Sequence, residues 1–132
     1  MKTELLLNKE CVLDDSLSFH SQCHIKHRCA KYETCPMIIF QKIISGKWKI
    51  LILWYLSSGP LRFSDLKRKL PNTTQKMLTN QLRSLEEDKL IYRKIYAEVP
   101  PHVEYGLTDI GKKIVPLLEA MYKYGIEYSY HN

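Results

Sequence analysis

Residues 71–88 have the sequence PNTTQKMLTNQLRSLEED, and this stretch predicts a helix with two unlike faces. Pro71 ends the segment before it, and Asn72, Thr73 and Thr74 supply side-chain oxygens that can cap a new helix. Apolar residues then repeat at helical spacing, at Met77, Leu78, Leu82 and Leu85. This apolar stripe is narrow, so most of the helix surface is left to polar side chains.

The polar face of this helix carries only donors, acceptors and positive charge until Glu86. Its members are Gln75, Lys76, Thr79, Asn80 and Arg83. Side chains of these types contact base edges and phosphates in protein–DNA complexes. Most polar helix faces are simply solvated surface, so the face alone leaves both interpretations open.

The neighbouring segments favour DNA contact over a merely solvated surface. Residues 63–70 predict a short helix capped by Ser64, with Leu66 and Leu70 one turn apart. Two helices joined by a tight turn form a helix-turn-helix.

Two strands are predicted directly downstream. Residues 90–96 are rich in Ile and Tyr, and residues 103–107 alternate between apolar and other side chains. The segment between them, residues 97–102, is a proline-stiffened loop. An antiparallel strand pair after a helix-turn-helix forms a wing.

Helices are also predicted on both sides of this unit. The first is capped by Thr34, has Pro36 in its first turn and stops at Gly46. Residues 48–56 are apolar nearly all round and predict a buried helix, after which residues 61–63 form a very short strand.

A long last helix is predicted to begin after Thr108 as its N-cap, and Pro116 is expected to kink it by removing a hydrogen bond to the carbonyl of Lys112. Its apolar stripe consists of Ile110, Ile114, Leu117, Leu118, Met121 and Tyr122. This stripe is a candidate dimer surface, and packing within the monomer is the alternative for its first half. Four tyrosines near the end suit an interface: Tyr122, Tyr124, Tyr128 and Tyr130.

The predicted fold is mainly α with a small antiparallel β wing, in the α+β class. It is a winged helix-turn-helix with a long C-terminal dimerisation helix. Residues 1–33 are predicted to form a Cys/His-rich N-terminal extension, partly helical or mobile, and residues 34–132 the winged domain for DNA binding and dimerisation.

Size and charge agree with this organisation. The 132 residues are 45% hydrophobic, enough for one domain with its own core, and the net charge is +6. Residues 42–94 hold twelve Lys/Arg against four Asp/Glu, whereas residues 1–34 hold five of each and residues 95–132 hold three against five. A basic block centred on the helix pair indicates nucleic-acid binding, and a solvated lysine-rich surface is its plain alternative.

No membrane segment or secretory signal is expected. The longest apolar run, residues 50–56, has seven residues, whereas a bilayer-spanning helix needs about 20. The first residues carry one lysine and a run of three leucines, too short for a signal peptide. We expect the protein in the cytoplasm.

Several motifs together resemble the HxlR-type winged-helix transcription regulators, a branch near the MarR regulators. They are Cys35-Pro36, Gly46-Lys47-Trp48-Lys49, Gly59-Pro60-Leu61-Arg62-Phe63, Gln75-Lys76-Met77-Leu78-Thr79, Gln81-Leu82-Arg83, Val99-Pro100-Pro101-His102-Val103-Glu104-Tyr105 and Leu107-Thr108. The match runs from about Cys35 to about Tyr128, in the family's order.

This resemblance implies a homodimer whose first and last helices form the interface and whose two recognition helices enter successive major grooves of a palindromic operator in double-stranded DNA. It also implies that the wings reach the flanking backbone or minor groove. The DNA contacts implied by position are Thr74, Gln75, Lys76, Thr79, Asn80 and Arg83 from the helix, and Arg93, Lys94, Pro101 and His102 from the wing.

The resemblance further implies a sensor thiol at Cys35, just before the first helix, where many members respond to oxidants or electrophiles such as quinones and aldehydes. A thiol at a helix N-terminus meets unpaired N–H groups and the positive end of the helix dipole, which favours the reactive thiolate. An inert core thiol is the alternative. No cysteine follows Cys35, so the remaining disulfide partners are Cys11, Cys23 and Cys29, a cysteine of the partner subunit, or a small thiol; alkylation without a disulfide is also open.

A histidine and cysteine cluster lies in the extension. If residues 18–30 are helical, one face carries His20, Cys23, His24 and His27. These side-chain types bind Zn²⁺, and a site would borrow Cys29 or Cys35, because four ligands from one helix rarely surround an ion tetrahedrally. A metal site, a reservoir of redox-active thiols and no special role all stay open, and structural disulfides are not expected in a reducing cytoplasm.

A sequence-specific transcription regulator that responds to chemistry at Cys35 is therefore the leading hypothesis. The alternatives are a metal-responsive regulator using the histidine and cysteine cluster, or a winged helix serving protein interaction. Enzymes are disfavoured because the chain has no GxSxG, phosphate-binding glycine loop, HExxH or convergent carboxylate pair. No cofactor is expected.

Overall fold

The computed structural model describes residues 35–132, and the chain groups into two compact units, Met1–Ser45 and Gly46–Asn132. In the described part of the first unit, helix α1 spans Pro36–Ile44. Cys35 is its N-cap residue, so the predicted cap at Thr34 was placed one residue too early. Proline fits the first turn because the N–H that it lacks has no partner inside the helix there. The predicted extension, residues 1–33, lies outside the described residues.

The second unit contains the helix-turn-helix, the sheet and the C-terminal helices. Its elements are α2 (Lys49–Leu56), β1 (Leu61–Arg62), α3 (Phe63–Lys69), α4 (Gln75–Glu87), β2 (Ile91–Tyr96), β3 (His102–Leu107), α5 (Asp109–Lys112) and α6 (Val115–His131). The strands form an antiparallel sheet in the order β1-β3-β2. The predicted mainly α fold with a small β wing is confirmed.

The core of this unit lies between α2, α3, α4 and the inner side of the sheet. The predicted leucine stripe of α4 is fully buried at Leu78, Leu82 and Leu85, and Met77 stays exposed at its edge. The other buried apolar side chains are Trp48, Ile52, Leu53, Leu56, Leu66, Leu70, Leu90, Ile91, Tyr105, Leu107, Ile114 and Leu118. Burial of a leucine contributes about 1.5–3 kcal/mol, so the stripe of α4 fixes this helix against the domain.

Helix α3 begins at Phe63, one residue before Ser64, which was predicted to be its cap. Ser64 lies inside the helix, Arg62 is the N-cap residue, and the Arg62 N–H donates to the Asp65 carboxylate at 3.4 Å. Arg62 is still paired with Glu104 in the sheet. Because β1 runs directly into α3, no turn is left in which Ser64 could act as a cap.

The C-terminal region consists of two helices instead of one kinked helix. Thr108 caps α5 as predicted, since its Oγ1 accepts the Gly111 N–H at 3.1 Å. At Lys113 and Ile114 the backbone keeps right-handed helical angles, but the hydrogen bonds tighten to i→i−3: Lys113 N–H donates to the Ile110 carbonyl at 3.3 Å and Ile114 N–H to the Gly111 carbonyl at 3.2 Å. Pro116 lies in the first turn of α6. Proline disrupts the helix as predicted, but it starts a new helix, because its missing N–H costs nothing in a first turn.

Within residues 35–132, no helix combines the length and the hydropathy needed to cross a bilayer.

Candidate nucleic-acid interface

The turn before α4 is fixed by two threonines with different roles. Thr73 is buried, and its hydroxyl donates to the Leu70 carbonyl at 2.8 Å. Thr74 is the N-cap residue, and its Oγ1 accepts the Met77 N–H at 3.0 Å. The sequence-based prediction of a cap in this triplet is confirmed at Thr74, and the start of α4 is thereby set.

The predicted reading face of α4 lies on the solvent side of the domain. Thr74 is exposed beside it, and so are four of its members, Gln75, Lys76, Asn80 and Arg83. Thr79 is half-buried, and its hydroxyl donates to the Gln75 carbonyl at 2.8 Å. The helix therefore presents two cations, two amides and a threonine together, a set that suits phosphates and base edges. Their contact with DNA stays a prediction.

The wing residues have partners within the protein. The Nζ of Lys94 lies 4.8 Å from the centre of the Tyr96 ring. The ring of His102 stacks on the ring of Tyr96, with 4.6 Å between their centroids, and its Nδ1 lies 3.3 Å from Glu98 Oε2. The side chain of His102 is only 16% exposed, so it braces the wing, whereas Pro101 at the tip is exposed.

A charged cluster connects the end of α4 to the wing. Arg93 lies opposite Tyr105 in the sheet, and its Nε is 3.9 Å from Glu86 Oε2. Burial raises the pKa of the Tyr105 phenol above its ordinary value of 10.0; the positive charge of Arg93 opposes this shift and the Glu86 carboxylate adds to it. The phenol stays neutral at physiological pH and packs beneath Arg93.

Sequence reasoning missed the residues that hold α4 from the side of α2. Trp48 Nε1 donates to the sulfur of Met77 at 2.9 Å, and the buried Lys49 donates from Nζ to Ser84 Oγ at 2.7 Å. The available signal was the single lysine at the first position of an otherwise apolar helix, because an ammonium group that becomes buried requires a hydrogen-bond partner.

The predicted sensor, Cys35, is half-buried at the N-terminus of α1, and its carbonyl accepts the Ile39 N–H at 3.0 Å. The predicted auxiliary thiols Cys11, Cys23 and Cys29 lie outside the described residues, as does the candidate metal cluster of His20, Cys23, His24 and His27. Among residues 35–132 there is no group of three or more His, Cys, Asp or Glu side chains able to hold a metal ion.

The chain matches known proteins over most of the described part. A family model described as HxlR-like helix-turn-helix matches residues 43–132. The chain belongs to the HxlR-like helix-turn-helix family. The resemblance inferred from the motifs is therefore confirmed.

Individual relatives of this HxlR-like protein agree. An HTH-type transcriptional regulator of Methanothermobacter thermautotrophicus is 47% identical over 97 residues, which is 74% of each chain. The solved structure of the redox regulator HypR in its oxidised form has 40% identity and a TM-score of 0.68, covering 70% of this chain and 96% of that one. The reduced transcriptional regulator YodB of Bacillus subtilis has 30% identity and a TM-score of 0.61, covering 68% and 89%.

These findings establish the general role of the HxlR-like chain. It is a helix-turn-helix transcriptional regulator, and the prediction that it is not an enzyme is confirmed, because its relatives and structural neighbours are transcriptional regulators.

Proposed function

We propose that the protein is a homodimeric regulator that binds a palindromic operator in double-stranded DNA and changes its affinity when Cys35 reacts with an oxidant or electrophile. The exposed basic face of α4 carries this proposal. Its leucines are buried on one side, Thr74 sets its start, and no acidic residue interrupts the face before Glu86. A rigid helix with this surface can enter a major groove.

Direct DNA binding tests this proposal. We expect the protein to bind its own upstream region more tightly than a random duplex, with an affinity that falls steeply as salt rises, because cations on α4 and the wing displace counterions from the phosphates. Equal affinity for both duplexes at every salt concentration would contradict sequence-specific binding.

A matched pair of variants locates the contact on α4. Arg83→Ala and Lys123→Ala each remove one cation from an exposed helical position. We expect only Arg83→Ala to weaken operator binding and to reduce the salt slope by about one. Equal losses from both variants would argue against the reading face.

The exposed side of α6 supports the homodimer. Leu117, Met121, Tyr124 and Tyr128 are large, exposed and spaced four, three and four residues apart. This is the spacing of a helix–helix seam. Trp54 stacks on Tyr122 at 5.3 Å, so a different side of α6 already packs on α2.

Light scattering tests the dimer. Leu117→Glu combined with Met121→Glu is expected to give a monomer, because each glutamate would have to lose its hydration in the seam. Lys123→Glu, on the same helix but outside the seam, is expected to remain dimeric. A dimer that survives the double substitution would remove α6 from the interface.

The position of Cys35 supports the switch. It precedes Pro36 at the N-terminus of α1, where free N–H groups and the helix dipole favour a thiolate. The structural relative HypR is described as a redox regulator, which points the same way.

Cys35→Ser tests the switch. We expect this variant to bind DNA like the wild type in the absence of reagents, and to lose the response to diamide, quinone or aldehyde. Cys11→Ser, Cys23→Ser and Cys29→Ser, made separately, show whether a second thiol completes the reaction. A Cys35→Ser variant that responds like the wild type would exclude Cys35 as the sensor.

A further inference from the structure

Residues 46–49, which lead into α2 and end on its first residue, contact one side of α4 at three successive positions. Trp48 donates to Met77 and Lys49 donates to Ser84, at 2.9 and 2.7 Å. Between these two contacts, the Gln81 side chain lies against the backbone of Gly46, where a side chain at position 46 would collide with it. Because the contacted positions on α4 are four and three residues apart, they form one line along the helix.

This line is separate from both the leucine stripe and the reading face. At about 100° per residue, Met77, Gln81 and Ser84 are centred about 100° around the helix from the buried leucines and farther from the reading face. The leucines hold α4 against the core by contacts without directional preference. Directional hydrogen bonds on an adjacent side of the helix restrict its rotation about its own axis.

Burial of the Lys49 ammonium group has a free-energy cost that an apolar side chain making a purely structural contact would avoid. The Lys49 side chain is buried, at 5% exposure, and burying an ammonium group costs free energy unless it is hydrogen-bonded. An apolar residue of similar length would fill the same space without that cost. The bond to Ser84 adds a defined distance and direction, which an apolar contact does not provide.

Rotation of α4 matters for reading bases. With side chains about 5–6 Å from the helix axis, a roll of about 20° moves a contacting atom by about 2 Å. Hydrogen bonds to base edges tolerate only a few tenths of an ångström. Long lysine and arginine side chains can still follow a phosphate through such a shift.

We infer that Lys49 and Ser84 are positioning residues that fix the rotation of α4 so that its reading face meets base edges. This inference rests on the proposed DNA-binding function. Loss of the bond between Lys49 and Ser84 should reduce discrimination between DNA sequences and leave affinity for DNA of any sequence unchanged. Loss of a simple packing contact would reduce both.

The double variant Lys49→Met with Ser84→Ala tests the inference. It replaces both partners with apolar groups, which is expected to leave stability nearly unchanged, whereas Ser84→Ala alone leaves an unpaired buried ammonium. We expect the double variant to melt close to the wild type and to bind a random duplex with wild-type affinity and salt slope. Its preference for the operator over that duplex is expected to fall about tenfold, the equivalent of one lost base contact.

Lys112→Met is the matched control, because it removes one exposed positive charge from α5. It is expected to keep the operator preference. A double variant that also keeps the wild-type preference would overturn the inference, and so would equal losses of operator and random-duplex affinity. A wild-type protein without operator preference would instead overturn the proposed function itself.

Discussion

Glu86 is expected to restrain the DNA affinity of the wing by holding Arg93. The two side chains connect the end of α4 to β2, with 3.9 Å between Arg93 Nε and Glu86 Oε2. Arg93 is one of the predicted DNA contacts, and a phosphate would compete with the carboxylate for its guanidinium. Glu86→Gln keeps the size of the side chain and removes this competitor.

The size of the effect follows from the exposure of the pair. The side chains of Arg93 and Glu86 are 48% and 42% exposed, so solvent screens their attraction. Pairs of this kind contribute about 0.2–1 kcal/mol, which corresponds to an increase of about 1.4–5-fold in the binding constant for each protomer. A surface substitution of this type should change the free energy of unfolding by no more than about 0.5 kcal/mol.

Fluorescence anisotropy with an operator duplex between about 50 and 200 mM salt measures the gain. Glu87→Gln, one residue further along α4, removes the same charge and is the control for general repulsion. In the double variant Arg93→Ala with Glu86→Gln, the gain should disappear. The reasoning is refuted if Glu86→Gln weakens binding, which would mean that the carboxylate orients Arg93, or if the gain persists without Arg93.

Three further predictions concern the stability of the domain. Thr74→Ala removes the cap of α4 and should lower the free energy of unfolding by about 1 kcal/mol in urea titrations, whereas Thr74→Ser should retain it. A methyl group at Gly111 would collide with the Leu90 carbonyl, so Gly111→Ala should destabilise the domain by about 1–3 kcal/mol. Gly125 has open space around it, so Gly125→Ala should stabilise the domain by up to about 1 kcal/mol. Thermal melts in which both variants change the melting temperature in the same direction would contradict this pair of predictions. The pKa of the Tyr105 phenol is raised in the folded state, so the neutral phenol stabilises the fold fully below pH 10.0 and progressively less at higher pH. Tyr105→Phe should therefore reduce the loss of unfolding free energy that is measured above pH 10.0.

The local patterns in the sequence predicted the elements that carry the proposed interface. The leucine period of α4 and the Thr74 cap depend on contacts within a few residues, and both appear in the structure. Residues 103–107 form a strand as predicted, but its burial does not alternate, since Tyr105, Gly106 and Leu107 are all buried. Thr108 was likewise recognised as a cap, because a threonine before a helical period has a local role.

The failed prediction of a cap at Ser64 depended on neighbours that are distant in the chain. Ser64 is not a cap, because pairing between β1 and β3 carries the backbone straight into α3. The error at Pro116 has a local cause instead: in a first turn the N–H that proline lacks would have no helical partner, so Pro116 can start α6. The contacts of His102 with Tyr96 and Glu98 were not predicted, because they form only once the strands have paired; its contact with DNA stays a prediction.

By itself the sequence indicated the helices and strands, a cap within residues 72–74 and another at Thr108, the family, and the polar face of α4, because each of these signals comes from residues a few positions apart. Only the tertiary structure decided how that face is held. The bond from Lys49 to Ser84 joins residues 35 positions apart, and the pair of Arg93 and Glu86 forms only where β2 passes the end of α4. The direction of a side chain toward a distant partner depends on the packing of whole elements, and no local pattern encodes it.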